Sequence, residues 1–148
     1  MPGPLSDCYV LAPVRSGEAV AALLDFFAPV RSPVWDTNEP PTQLAGFEGV
    51  ATEARLVDFL VRSSSLACTL YFRCIDPSVD PIAEHAVVSF NEDGSLILGL
   101  SGPETAGPAM LGLLEGLSEE SGYWTVEEAP PLSRVDFRAR RASRRERC

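Results

Sequence analysis

The chain has one imidazole, His85, and four thiols, Cys8, Cys68, Cys74 and Cys148. Metal binding or nucleophilic catalysis would have to begin from these residues. His85 follows Glu84, and with Asp76 and Asp80 it forms an Asp-x3-Asp-x3-Glu-His series. Carboxylates and imidazoles are competent metal ligands. The spacing matches no known metal loop, however, and Pro77 and Pro81 interrupt it, so ordinary loop acids are expected here. Nucleophilic catalysis needs a Ser or Cys with a base in reach. Only His85 could supply an imidazole base, and Cys68 and Cys74 fall on a strand expected to be core, where a buried thiol is inert. Six residues apart on one extended strand, these two stand about 20 Å from each other and cannot form a disulfide. There is no Gly-x-Ser-x-Gly elbow, phosphate-binding P-loop or Gly-x-Gly-x-x-Gly turn. The expectation is a protein without cofactor, without metal and without enzymatic activity.

Charge is the next source of chemistry. The sequence holds 21 acidic residues and 12 basic ones, all arginine. Residues 1–133 carry 5 Arg against 19 Asp and Glu, a balance of −14; residues 134–148, RVDFRARRASRRERC, carry 7 Arg against 2 acids, a balance of +5. An acidic body repels nucleic acid and anionic membrane and attracts a basic protein. The Arg-rich segment could neutralise phosphates, but it is short and offers only Phe137 as an aromatic. It is read as a flexible, solvated tail at 134–148, able to fold back on the acidic surface.

Residues 35–49, WDTNEPPTQLAGFEG, have no periodicity, two adjacent prolines and three acids. Trp35, Asp36, Glu39, Phe47 and Glu48 in this stretch, with Tyr71 and Arg73 on a strand face turned away from the helices, form the candidate partner-binding surface. Trp, Tyr and Arg are the types enriched at binding hot spots. The alternative is that Trp35 and Phe47 plug the edge of the core. A second arrangement would put Tyr71, Arg73 and His85 around a small-molecule or catalytic pocket on the sheet.

The elements that must hold these residues are legible from periodicity. Ala86, Val88 and Phe90, then Leu96, Leu98 and Leu100, alternate with other residues at period two, as half-buried strands do. A two-residue loop at Asp93-Gly94 would put the two apolar sets on opposite faces. A three-residue loop pairs Phe90 with Leu96, Val88 with Leu98 and Ala86 with Leu100 on one face. Burial selects the second register, with a type I turn, Gly94 in the left-handed conformation and a G1 bulge. Other strands are expected at Asp7–Val14, Leu66–Ile75 and Tyr123–Glu128. Helices are expected from Ser16 to Phe27 (stripe Val20, Leu23, Leu24, Phe27), from Thr52 to Arg62, and from Pro108 until Gly122 (stripe Met110, Leu113, Leu114, Leu117).

This order, β-α-α-β-β-β-α-β, predicts an α+β fold: an antiparallel sheet of about five strands with three helices mainly on one face, all within 1–133. The N-terminus lacks a basic or apolar leader and no apolar run approaches the ~20 residues needed to span a bilayer, so a cytoplasmic protein with reduced thiols is expected. The segment AVVSFNEDGSLILGLSG, the leucine-rich helix after it and GYWTVEEAPP resemble the small α+β immunity proteins of bacterial polymorphic and contact-dependent toxins. That resemblance covers roughly the C-terminal half and implies a non-enzymatic inhibitor that caps a basic toxin domain.

Overall fold

The computed structural model describes residues 5–33, 53–75 and 83–145. The sheet has six antiparallel strands: β1 (Leu5–Leu11), β2 (Arg31–Pro33), β3 (Cys68–Cys74), β4 (His85–Phe90), β5 (Leu96–Pro103) and β6 (Tyr123–Val126), in spatial order β2-β3-β4-β5-β1-β6. The helices are α1 (Gly17–Phe27), α2 (Glu53–Arg62), α3 (Gly107–Leu114) and α4 (Arg134–Arg145).

The β4–β5 hairpin has the register that burial selects: Phe90 opposes Leu96, Val88 opposes Leu98 and Ala86 opposes Leu100. Asn91 N donates to Ser95 O at 3.0 Å and Gly94 N donates to Asn91 O at 3.1 Å, closing a three-residue loop in which Gly94 has φ +83°. The strand beside it, β3, puts Leu70, Phe72 and Cys74 on the same inner face. From β1, Cys8 and Val10 join them.

Three helices cover this inner face. Ser16 caps α1 by accepting from Ala19 N at 3.1 Å, and the stripe Val20, Leu23, Leu24 and Phe27 is buried. Leu56, Val57 and Leu60 of α2 and Met110 and Leu114 of α3 complete the core. Each large apolar side chain buried there contributes about 1.5–3 kcal/mol. The Thr52 cap expected for α2 lies outside the described residues.

Several expectations are corrected. The first strand ends at Leu11, and Val14 is exposed. A sixth strand, β2, pairs Ser32 with Arg73, where no strand was expected after the helix ending at Phe27. Helix α3 ends at Leu114 and tightens into a 3₁₀ turn over Glu115–Leu117, and Leu113, expected in the buried stripe, is 39% exposed. Gly122 is therefore not a helix end. It lies where a Cβ would overlap the Tyr9 carbonyl, allowing the entry of β6 to press against β1.

The largest correction concerns residues 134–148. Arg134–Arg145 form a helix rather than a solvated tail, and Phe137 is fully buried on the outer face of the sheet with Tyr9, Leu11, Ile97 and Tyr123. The boundary expected at residue 133 falls inside the packed structure. The element order is β-α-β-α-β-β-β-α-β-α, with three helices on the inner face and one on the outer.

Candidate functional site

The outer face carries every candidate residue that the described chain includes. Strand alternation and register place its side chains in rows. One row runs Ser32, Arg73, His85, Ser101, Asp7, Thr125 across β2, β3, β4, β5, β1 and β6. The next runs Tyr71, Val87, Gly99, Tyr9, Tyr123. Tyr71, Arg73 and His85, separated by up to 14 residues in sequence, are therefore neighbours. Trp35, Asp36, Glu39, Phe47 and Glu48 lie outside the described residues, as do Asp76 and Asp80 of the acid series.

The two halves of this face differ. Over β5, β1 and β6 it is sealed. The Tyr9 ring occupies the space above Gly99, where an added Cβ would stand 2.8 Å from Tyr9 Cδ1, and the Tyr9 hydroxyl donates to Glu128 O at 2.5 Å. Tyr123 sits between Tyr9 and Phe137, with ring centroids 5.8 and 5.6 Å away. Burial raises the Tyr123 phenol to about 12. The same burial, reinforced by the charge of Asp7, drives Tyr9 upward.

Asp7 is the buried carboxylate of the face, 9% exposed. The Ser101 hydroxyl donates to Asp7 Oδ1, and Glu128 N donates to Oδ2 at 2.8 Å. A buried charge requires such donors. His85, Ser101 and Asp7 do stand in one row, but the serine hydroxyl is bound to the carboxylate and the imidazole lies on the serine's far side. A nucleophile–base relay needs the imidazole between the two, holding the hydroxyl and held by the acid. This order instead uses Ser101 to solvate Asp7.

The arginines of α4 are engaged by carboxylates of the body. Arg134 meets Asp93; Arg138 and Arg141 meet Glu120, at 2.8 and 3.0 Å; Arg140 and Arg144 meet Glu128, with Arg140 at 3.3 Å. The Arg138 hydrogen bond draws the Glu120 carboxyl below its ordinary range. Burial opposes the same change at Asp93, where the amide of Arg134 and both donors of Ser95 outweigh it. Over β3 and β4 the face is more open: Tyr71 is 38% exposed, Arg73 is exposed and His85 half-buried, while Val87 and Ser89 are buried. The phenol of Tyr71 is raised by partial burial and by Asp7.

The described thiols are Cys8 and Cys74, which are buried, and Cys68, which is partly buried. Burial, then the charges of Asp7 and Glu115, lifts Cys8 to about 12, and burial raises Cys68 and Cys74. Among the described residues no group of three or more His, Cys, Asp or Glu could hold a metal, and no helix is long and apolar enough to cross a membrane. A cleft of 340 Å³ lies on the opposite side of the molecule from α4, between α1 and α2. It is floored by Val20, Leu24, Val57 and Val61 and rimmed by Asp25, Arg31 and Glu53.

Asp7, Ser101, Glu128 and Phe137 were not singled out as site residues from sequence. Asp7 and Ser101 are 94 positions apart, and only the β1–β5 pairing joins them. For α4 a local signal did exist. Ser133 and Asp136 have capping spacing, and the Ser133 hydroxyl accepts from Asp136 N at 3.0 Å. Comparison with protein-family models, curated proteins and solved structures found no match.

Proposed function

We propose that this protein is a non-enzymatic binding protein that holds a basic protein partner, in the manner of an immunity-type inhibitor of a toxin domain. One observation carries the reading: the imbalance of charges left free at the surface. Among the described residues, Glu18, Glu84, Glu92, Glu104, Glu119 and Glu127 are exposed and make no side-chain hydrogen bond or ion pair, whereas among the arginines whose side chains are described Arg73 is the one without such a partner. The seven-arginine segment does not offset this imbalance from a distance, because its described guanidiniums are occupied by Asp93, Glu120, Glu128 and Asp136. A surface of unoccupied carboxylates steers cationic partners and suppresses anionic ones. The acid- and aromatic-bearing stretch with Trp35, Asp36, Glu39, Phe47 and Glu48, and with it Tyr71 and Arg73, is assigned to the same partner by its residue types.

The test is co-purification with the product of the neighbouring gene. A complex is expected whose association rate falls at least tenfold between about 50 and about 300 mM salt, as screening shortens the reach of surface charge. Reversing Asp36, Glu39 and Glu48 to Lys is expected to slow association further. An absence of any complex, or one indifferent to salt and to these reversals, would overturn the proposal.

A further inference from the structure

The exception in that charge pattern, Arg73, has an environment of its own. Its neighbours across the strands are Ser32 on β2 and His85 on β4, and along β3 they are Tyr71 and Ile75. None is acidic. Glu84, adjacent in sequence to His85, is exposed and makes no ion pair with Arg73. Cys74 N donates to Glu84 O at 2.9 Å, which makes 74/84 a hydrogen-bonded position of the ladder. Arg73 and His85 then occupy a non-hydrogen-bonded position, where Cα atoms are about 4.5 Å apart and side chains lie closest. Neither side chain has a hydrogen bond or ion pair among the described residues, although both sit in a molecule with a large excess of carboxylates. The flanking side chains are large and apolar on their outward surfaces: Tyr71 is 38% and Ile75 42% exposed.

We propose that Arg73, with His85 and the Tyr71 hydroxyl, is a receptor for a carboxylate side chain of the protein partner. The inference rests on the protein-binding reading and assigns this patch a role opposite in sign to the rest of the surface. A guanidinium presents a planar fork that matches a carboxylate bidentately. The imidazole and phenol stand where they can donate to the same group from the side, and Tyr71 and Ile75 wall the fork from water, which strengthens a charge-assisted bond. A lone cation amid carboxylates adds little to overall attraction. It sets register instead, since a partner docked out of place would put its own cation over Arg73. The net charge of −9 disfavours a polyanion such as nucleic acid at the same spot.

The experiment is an NMR titration of the full-length protein, reading the Arg73 side-chain Nε–Hε, the His85 ring and the Tyr71 ring. Three probes are used: N-acetylglutamate N-methylamide, its glutamine analogue and inorganic phosphate. Saturable shifts at all three residues with the glutamate probe, and none with the glutamine analogue, are expected. Arg73→Gln should weaken the affinity at least about tenfold while leaving the rest of the spectrum intact, and Arg73→Lys should recover less than half of that loss on a logarithmic scale, for want of the fork. Shifts spread equally over the α4 arginines, shifts with phosphate alone, or an unchanged affinity in Arg73→Gln would overturn the proposal. No partner is used in this titration, so its failure leaves the co-purification result standing, and a failed co-purification leaves the titration readable.

Discussion

A single arginine shows how much one side chain can organise. Arg15 lies in the connection between β1 and α1, and its guanidinium donates five hydrogen bonds to four backbone carbonyls: two to Leu60 O at 3.0 and 2.6 Å, and one each to Ser63 O at 2.7 Å, Leu66 O at 3.0 Å and Asn91 O at 2.9 Å. It also lies 4.9 Å above the Phe90 ring. The last carbonyls of a helix have no partner within it, and here one fork serves the end of α2, the chain leading into β3 and the hairpin turn together. Arg15→Ala is expected to cost about 2–4 kcal/mol in urea unfolding, because several buried acceptors lose their donor at once. Arg15→Lys should recover less than half, since an ammonium cannot span four carbonyls in fixed geometry. A loss below about 1 kcal/mol for the alanine variant would refute this account. Nothing in the sequence around Arg15 announces it, because its acceptors are backbone atoms 45 to 76 positions away. Ser16, its neighbour, was legible as a cap because a cap is satisfied within three residues.

At the scale of elements, α4 departs most from the sequence reading. Among its described side chains only Phe137 is fully buried, and the rest of its attachment is through arginines to carboxylates and backbone carbonyls. The helical period of this segment is carried by arginines at i, i+4 (Arg134 and Arg138, Arg140 and Arg144) around one aromatic, a pattern that a solvated helix or tail shows equally well. Phe137→Ala is expected to destabilise the protein by about 3 kcal/mol and to remove hydrogen-exchange protection from α4 amides while β3, β4 and β5 keep theirs. Equal loss of protection everywhere would show that α4 does not open as a separate unit. Acid should loosen the same helix. The carboxyls of Glu120 and Asp93 are held below their ordinary values of 4.5 and 3.8 in the folded state. Their contribution is therefore complete above those ordinary values and is lost as pH falls through the lower folded ones. Exchange at α4 amides, corrected for intrinsic rates, should accelerate below about pH 4 in wild type and less so in Glu120→Gln, which lacks the titrating group from the outset.

At the scale of the molecule, Cys8, Cys68 and Cys74 report on whether the sheet and its three inner helices behave as one unit. All three thiols face the inner core and are shifted upward by burial. In a Cys148→Ser background they should resist a disulfide reagent in native buffer and become reactive together, at the same urea concentration at which far-UV circular dichroism is lost. Early reaction of any one of them would reveal a separately unfolding part. The α+β class, the antiparallel run β3–β4–β5, the hairpin register and the α1 stripe were all legible in the amino-acid sequence. Each is dictated by short-range alternation, turn chemistry and the burial of one face, and these act over fewer than a dozen residues. Other features follow only from the tertiary structure. These are the insertion of β1 between β5 and β6, the pairing of Ser101 with Asp7, and the docking of α4. Each joins residues distant in sequence through backbone pairing or paired charges, and no local pattern names a distant partner.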